Sequence, residues 1–386
     1  MNQVNKRRLL FGSVLILLFV VYLDVRTPSR ISWRAENLDS LQVLSARGLV
    51  LQEVHGPDLW ATRGFSIYRS RNGAPFQKIT SIVPPFGRLW GGYSSTLRTY
   101  FGYQEVSEVF SPVDDLLVVF AAGEIHRIDL ETGEDRVVYT MRYFGPGKGR
   151  GVLSTGMTVD DQGYFYYGEY PRPPLDPRST VAIVRSVDQG RTWAPIFHFP
   201  APLIKHIHSV QWDPYGQRLW VTTGDHNHES RIGFSLDRGQ SFKWIGEESQ
   251  TFRTVQLAFS ESTVSWVTDT DKEQVRHVRW SRANGALCVS EFTFPSPGFY
   301  VQQLSGEQIL ATTAEGSPGL WLVSEHGRKC LFQWQGLTRQ GKPHPAVRMP
   351  RFGSRNATHI YFNPLRTKAQ SEIIYRIERN QLATDH

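Results

Sequence analysis

The sequence predicts an all-β fold: a β-propeller of seven four-stranded blades, preceded by one N-terminal transmembrane helix. Three observations carry this prediction. Behind residue 34 the chain shows no long amphipathic helical pattern, only short apolar runs separated by Gly, Asp, Asn and Pro. Over most of the chain those runs recur at roughly 45 to 55 residues, the period of a four-stranded blade. Ahead of them stands one apolar run behind three cations. Composition agrees. Phe, Trp and Tyr make up 12% of the 386 residues, and aromatic side chains suit pleated, half-buried surfaces. The 33 Gly and 22 Pro supply the turns that many short strands require.

The first element is the apolar run Leu9 to Leu23, interrupted only by Gly12 and Ser13 and preceded by Lys6-Arg7-Arg8. Basic residues before such a run stay in the cytoplasm, so the chain behind it is exported. The flank Tyr22-Leu23-Asp24-Val25-Arg26-Thr27 lacks the small-residue pattern of a signal-peptide cleavage site. The run is short against the roughly twenty residues of a bilayer span, a mismatch that snorkelling or local thinning absorbs. The expected organisation is a cytoplasmic tail over 1–8, a signal anchor over 9–23, a linker over 24–40 and the propeller over 41–386. This makes a single-pass inner-membrane protein with its propeller on the periplasmic or extracellular side. Nucleic acid is excluded as a partner. Part of the net charge of +7 sits in the N-terminal tail, and no run of five like charges exists to form a basic stripe.

The blades follow from the recurring runs. These are Gly48 to Val54, Leu116 to Ala122, Tyr164 to Gly168, Leu219 to Thr223, Val264 to Thr268, Gln308 to Thr313 and His359 to Phe362. Seven runs suggest seven blades; the irregular spacing of the first two leaves six or eight open. Between them lies a turn motif. Ser186-Val187-Asp188-Gln189-Gly190-Arg191-Thr192-Trp193 fits S-x-D-x-G-x-T-W, and Ser235-Leu236-Asp237-Arg238-Gly239-Gln240-Ser241-Phe242 repeats it one blade later. Ser70-Arg71-Asn72-Gly73, with Phe76, is a shortened copy. In such a turn Ser and Asp side chains bond local backbone, Gly takes a positive φ and the aromatic packs into the blade.

These turns resemble the Asp-box, or BNR, repeats of the sialidase-like superfamily of β-propellers. In that family the box joins outer strands on the face away from the active site, so the resemblance implies the fold rather than the chemistry. A second likeness spans about residues 150 to 330. His206-Ile207-His208-Ser209-Val210-Gln211-Trp212-Asp213-Pro214-Tyr215, then Leu219 to Asp225, Phe252-Arg253, Trp266 to Asp269 and Thr312 to Glu315, is similar to bacterial BNR-type propeller proteins of unassigned function.

The candidate site comes from aligning the blades on their second strands. Tyr166-Tyr167-Gly168-Glu169, Thr222-Thr223-Gly224-Asp225, Val267-Thr268-Asp269-Thr270-Asp271 and Thr312-Thr313-Ala314-Glu315 each end in an acid. In a propeller these strand ends lie on the ligand-binding face, where the inner strands begin. His206 and His208 are two apart, so an extended strand points them the same way. Aligning Ser209-Val210-Gln211 with Thr254-Val255-Gln256 makes His208 and Arg253 equivalent. The expected ring is His206, His208, Asp225, Arg253, Asp269, Glu315 and Glu169, with His226 and His228 in an adjoining polar loop. The first six, with Glu169, are candidate catalytic residues.

Three readings stay open. A glycan hydrolase would use paired carboxylates. A sialidase proper is disfavoured, because that family's F/Y-R-I-P motif is absent. A metal-assisted polysaccharide lyase would use His206, His208 and Asp225 as ligands to a divalent ion. A non-catalytic glycan-binding or scaffold protein at the cell envelope would use neither. Metal binding marks the second reading and convergent carboxylates of raised pKa the first. Finally, Cys288 and Cys330 each follow a glycine turn by the same offset, Gly285-Ala286-Leu287-Cys288 and Gly327-Arg328-Lys329-Cys330. They are expected at equivalent outer-strand positions of neighbouring blades, too far apart for a disulfide.

Overall fold

The computed structural model describes residues 27–83, 106–145, 147–154, 156–172, 179–200, 203–306, 308–337, 344–350, 358–368 and 370–382. The expected membrane helix over 9–23 lies outside the described residues. Among those described, no helix is long and apolar enough to cross a membrane.

The fold is all-β and antiparallel. Sheet 1 runs Val50–His55, Asp58–Arg63, Ser66–Arg71, Phe76–Ser81, with Arg30–Ile31 on its outer edge. Sheet 2 is Val106–Val113, Leu116–Ala121, Glu124–Asp129, Asp135–Thr140. Sheet 3 is Met157–Val159, Phe165–Gly168, Thr180–Ser186, Ala194–Pro200. Sheet 4 is His206–Asp213, Arg218–Gly224, Arg231–Ser235, Lys243–Glu247. Sheet 5 is Ala258–Phe259, Thr263–Val267, Val275–Ser281, Leu287–Phe294. Sheet 6 is Gly298–Ser305, Gln308–Thr313, Gly319–Val323, Arg328–Gln333. Sheet 7 joins both ends of the described chain: Ala346–Arg348, His359–Leu365 and Ile373–Glu378 are completed by Leu41–Arg47 and Arg34–Leu38. The boundary expected at residue 41 therefore falls inside paired structure. Residues 30–38, expected as linker, supply two edge strands.

The core lies between successive sheets. One cluster joins Trp60 and Ile67 of sheet 1 to Val109 and Val119 of sheet 2. Others join sheets 2 and 3, 3 and 4, 4 and 5, 5 and 6, and 6 and 7. A seventh returns from Ala46 and Ile374 of sheet 7 to Leu51 and Tyr68 of sheet 1. Burial on both faces explains why second strands stand out in the sequence: Leu116–Ala121 is buried at every position. Edge strands such as Asp135–Thr140 face solvent and read as polar. Trp220 and Trp266, fully buried on the second strands of sheets 4 and 5, both belong to the cluster between those sheets. Truncating either would cost about 3–5 kcal/mol.

Inner strands are also tied by side chains. Gln211 Oε1 accepts from Leu257 N–H at 2.7 Å, and Gln256 Oε1 accepts from Val301 N–H at 3.1 Å. The same link at the same register supports the alignment that equated residues 209–211 with 254–256.

The two turn motifs have one hydrogen-bond plan. Ser186 Oγ donates to Asp188 Oδ1 at 2.8 Å and accepts from Gly190 N–H at 3.0 Å, while Thr192 Oγ1 donates to Asp188 Oδ2 at 2.6 Å. Ser235, Asp237, Gly239 and Ser241 repeat these bonds at 2.7, 2.7 and 2.5 Å. Gly190 and Gly239 take φ of 79° and 92°, the left-handed region that favours glycine. Cys288 and Cys330 are both free and exposed, each on the outermost strand of its sheet.

One piece stands outside the repeat. Phe144–Gly145, Gly149–Gly151 and Tyr170–Pro171 form a small three-stranded sheet spliced around sheet 3.

Candidate functional site

The site starts on the innermost strand of sheet 4. His206–Asp213 is buried at all positions but Trp212. Its register with Arg218–Gly224 shifts between Ile207 and Ser209, leaving His208 at an irregularity in the ladder. Such bulges re-aim side chains. His206 and His208 share a face as strand parity requires, with ring centroids 5.1 Å apart and Nε2 atoms 3.2 Å apart. His206 pairs with Gly224, so the next residue, Asp225, comes alongside both rings. A Cβ at Gly224 would lie 3.0 Å from Arg253 Cγ and 3.2 Å from His208 Cε1, so a side chain there would crowd the cluster.

Asp225 Oδ1 lies 3.3 Å from His206 Nε2 and 3.4 Å from His208 Nε2. Its other oxygen accepts from Lys205 Nζ at 2.5 Å. Arg253 approaches from sheet 5, with Nη2 3.7 Å from Asp225 Oδ1, Nε 3.6 Å from Asp269 Oδ2 and Nη1 3.1 Å from Asp271 Oδ1. Tyr170, from the small sheet, stacks on His206 at 3.8 Å between centroids and 16° between planes.

Protonation follows from burial and pairing. Burial pushes His206 down to about 4, outweighing the pull of Asp225. Burial alone would raise Asp225, but its contacts with His206 and His208 hold it well below the usual carboxylate range. At neutral pH the pair is thus a neutral imidazole and a carboxylate. Burial raises Asp269 to about 7 despite Arg253 and His208, with Asp225 and Glu315 adding to the rise.

The three atoms facing one another fit a divalent cation. Bonds of about 2.0–2.2 Å to nitrogen and oxygen set neighbouring ligand atoms about 3.0–3.5 Å apart. The observed triangle has sides of 3.2, 3.3 and 3.4 Å. His208 Nδ1 donates to Thr254 O at 2.9 Å; a carbonyl only accepts, so Nδ1 carries a proton, and with a cation bound Nε2 would present its lone pair. His206 Nδ1 is buried and makes no hydrogen bond among the described residues, which leaves its tautomer free to do the same.

His208, Asp225, Arg253, Asp269 and Glu315 line one cavity of about 240 Å³. Five of the candidate catalytic residues thus share a chamber, and His206 lies behind Tyr170, which lines it. Glu315 sits 3.7 Å from His344 rather than in the His/His/Asp cluster. Glu169 does not join. It is buried and clamped by Arg142 at 2.6 Å, and accepts from Ala182 N–H at 2.8 Å. The chain after Gly168 leaves sheet 3 for the small sheet, so this strand end is not equivalent to the others. His226 and His228 lie in the loop after Asp225; His226 Nδ1 meets Lys272 Nζ at 2.6 Å and His228 is exposed. Sequence reasoning missed Lys205 and Tyr170, which adjoin predicted residues, and also Arg150, Arg348 and Arg366, which line the same cavity.

This chain is similar in structure to an oligogalacturonate lyase in complex with manganese, with TM-score 0.60 and 14% identity, covering 90% of this chain and 96% of that one. A Vibrio parahaemolyticus oligogalacturonate lyase gives TM-score 0.54 and 13% identity over 90% of this chain and 97% of that chain. A Mycobacterium tuberculosis puromycin-hydrolyzing peptidase gives 0.53 and 14% over 92% of this chain and 55% of that chain. At such identities the likeness shows a propeller-like all-β fold. No family model matches the sequence, and no curated protein matches it.

Proposed function

We propose that this chain is a seven-bladed, sialidase-like propeller, anchored in the inner membrane by residues 9–23, that acts on envelope or extracellular polysaccharide as a metal-assisted lyase. The observation that carries the reading is the equilateral arrangement of His206 Nε2, His208 Nε2 and Asp225 Oδ1 in the wall of the cavity. The neighbour bound to manganese is an oligogalacturonate lyase, which supports both the cation and the class of substrate. The cyclic succession of inter-sheet clusters supports the blade count, and the paired Asp-box turns support the superfamily. Lyase chemistry is favoured over hydrolysis because the buried acids are engaged differently. Asp225 is tied to imidazoles and Lys205, while Asp269 is held beside Arg253.

A divalent cation in this position would supply Lewis acidity toward an oxygen of the substrate. The chain's own residues do the rest. Lys205 takes Asp225 Oδ2 and so presents Oδ1 to the imidazoles. Thr254 O fixes the His208 tautomer. Tyr170 covers the outer face of His206 and shields it from water. Asp269, with its carboxyl near neutrality, can accept or hold a proton at its free oxygen, and Arg253 keeps it oriented.

The test is direct. Titrating the full-length protein with manganese by calorimetry should give one site per chain. Incubation with oligogalacturonate should yield an unsaturated product absorbing in the far ultraviolet. His208→Ala and Asp225→Ala should abolish both signals with melting temperatures within a few degrees of wild type. Absence of metal binding in the wild type, or loss of fold in both variants, would overturn the reading.

A further inference from the structure

The cavity beside the His/His/Asp cluster is also lined by a group of guanidiniums, with the carboxylates of Glu315 and Glu372 among the same lining residues. Three guanidiniums converge there, from Arg150, Arg348 and Arg366, beside the buried Tyr300. Arg348 is accounted for. Its Nη2 donates to Gln52 Oε1 at 2.8 Å and Ser107 O at 3.2 Å, and lies 3.4 Å from Glu108 Oε1. The other two are not. Arg366 donates from Nε to His344 O at 2.8 Å, which fixes the plane of its fork, and its two Nη groups have no partner among the described residues. Among the described residues Arg150 makes a cation–π contact, 5.7 Å from the centroid of the Tyr170 ring, and no hydrogen bond or ion pair from its side chain. Burial, with repulsion from Arg150 and Arg348, pushes Arg366 down to about 10, a fall that Tyr300 and Glu372 oppose.

Like charges held together in a partly enclosed cavity repel, and an anion between them relieves that cost. The backbone is built to place one of them. Arg150 stands between Gly149 and Gly151, at φ of 145° and 78°. A Cβ on Gly149 would collide with the Tyr170 carbonyl, and one on Gly151 would lie 2.5 Å from Met141 Sδ. Only glycines on both sides let this strand press against Tyr170–Pro171 and deliver Arg150 into the chamber. The same small sheet sets Tyr170 against His206, so the anion wall and the His/His/Asp cluster are joined through one ring.

We propose that Arg150 and Arg366 form an anion-binding subsite that seats a carboxylate of the ligand in the same cavity as the His206–His208–Asp225 cluster. The subsite stands on the two unpaired arginines alone; that the ligand is a saccharide rests on the function proposed above. A planar carboxylate fits paired guanidinium forks better than a neutral ester or hydroxyl does.

The experiment compares the full-length protein with Arg150→Gln/Arg366→Gln and with Arg366→Lys. In the first arm, inorganic sulfate is titrated at constant ionic strength and the melting temperature is read. Sulfate stabilises folded proteins in general, so the quantity of interest is the difference between proteins. Wild type should gain a saturable shift that the double variant lacks, with Arg366→Lys between them. In the second arm, calorimetry compares oligogalacturonate with its methyl ester. Wild type should bind the acid at least about tenfold more tightly, and the double variant should lose that preference. Manganese binding is measured on the same samples and should stay within about twofold. Equal sulfate shifts in wild type and double variant would overturn the subsite. A saturable sulfate difference with neither saccharide bound would uphold the subsite and sink the polysaccharide reading.

Discussion

His277 offers a stability prediction independent of the proposed site. It lies on the third strand of sheet 5 with 2% of its surface exposed, its ring 6.3 Å from that of Phe292. Its Nε2 is buried without a hydrogen bond among the described residues. Burial, aided by Arg279, pushes the imidazole from 6.5 down to about 4. The folded chain therefore keeps this ring neutral where the unfolded chain protonates it. Its contribution is fully present above pH 6.5 and is lost as pH falls toward 4. At 1.36 kcal/mol per pKa unit the loss is about 3 kcal/mol. The whole protein need not show that figure. His206 adds a loss of the same sign and size, whereas Asp269, raised from 3.8 to about 7, takes up a proton on folding and opposes them. The net slope is a difference of similar terms, so the clean measurement is a comparison. His277→Phe keeps a ring beside Phe292 and removes the titration. Urea unfolding of metal-free wild type and variant, from about pH 7 to about 4, should show the variant gaining about 3 kcal/mol on wild type across the window. Parallel stability curves would mean that His277 is solvated or paired, and the argument from burial would fail.

Other outcomes follow from the same structure. Arg282 donates to both oxygens of the fully buried Asp213 at 2.6 and 3.0 Å across sheets 4 and 5, so Arg282→Met should lower stability by about 3–5 kcal/mol in urea unfolding. Thiol titration under denaturing, non-reducing conditions should find both Cys288 and Cys330 reactive, since each sits exposed on a separate sheet edge; a monomer with no titratable thiol would contradict this. N-terminal sequencing of the mature protein should begin ahead of Leu9 if residues 9–23 serve as an uncleaved anchor, and a start near Arg26 would refute the anchor.

The sequence revealed the fold wherever its signals were local and periodic. Six of the seven apolar runs fall on second strands, because a strand buried on both faces reads as a continuous apolar stretch. The first run fell instead on the inner strand Val50–His55, since Asp58–Arg63 begins and ends in charge and does not stand out. That displacement made the early spacing look irregular. The strand Arg34–Leu38 reads as linker because an edge strand facing solvent carries the same polar residues. In the site, strand parity and strand ends sufficed for His206, His208, Asp225 and Asp269. They misplaced Glu169, because the sequence cannot show that Arg142 already holds it. Arg150, Tyr170 and Arg366 escaped for a related reason. The small sheet bearing two of them interrupts the repeat, and Arg366 gains its meaning only when the last sheet closes beside the first. Period and parity describe what the sheets share. The chamber draws its chemistry from where they differ: the bulge at His208, the inserted strand between two glycines, and the sheet made from both ends of the chain. A repeat-based reading will therefore find the frame of such a site before it finds the arginines that line it.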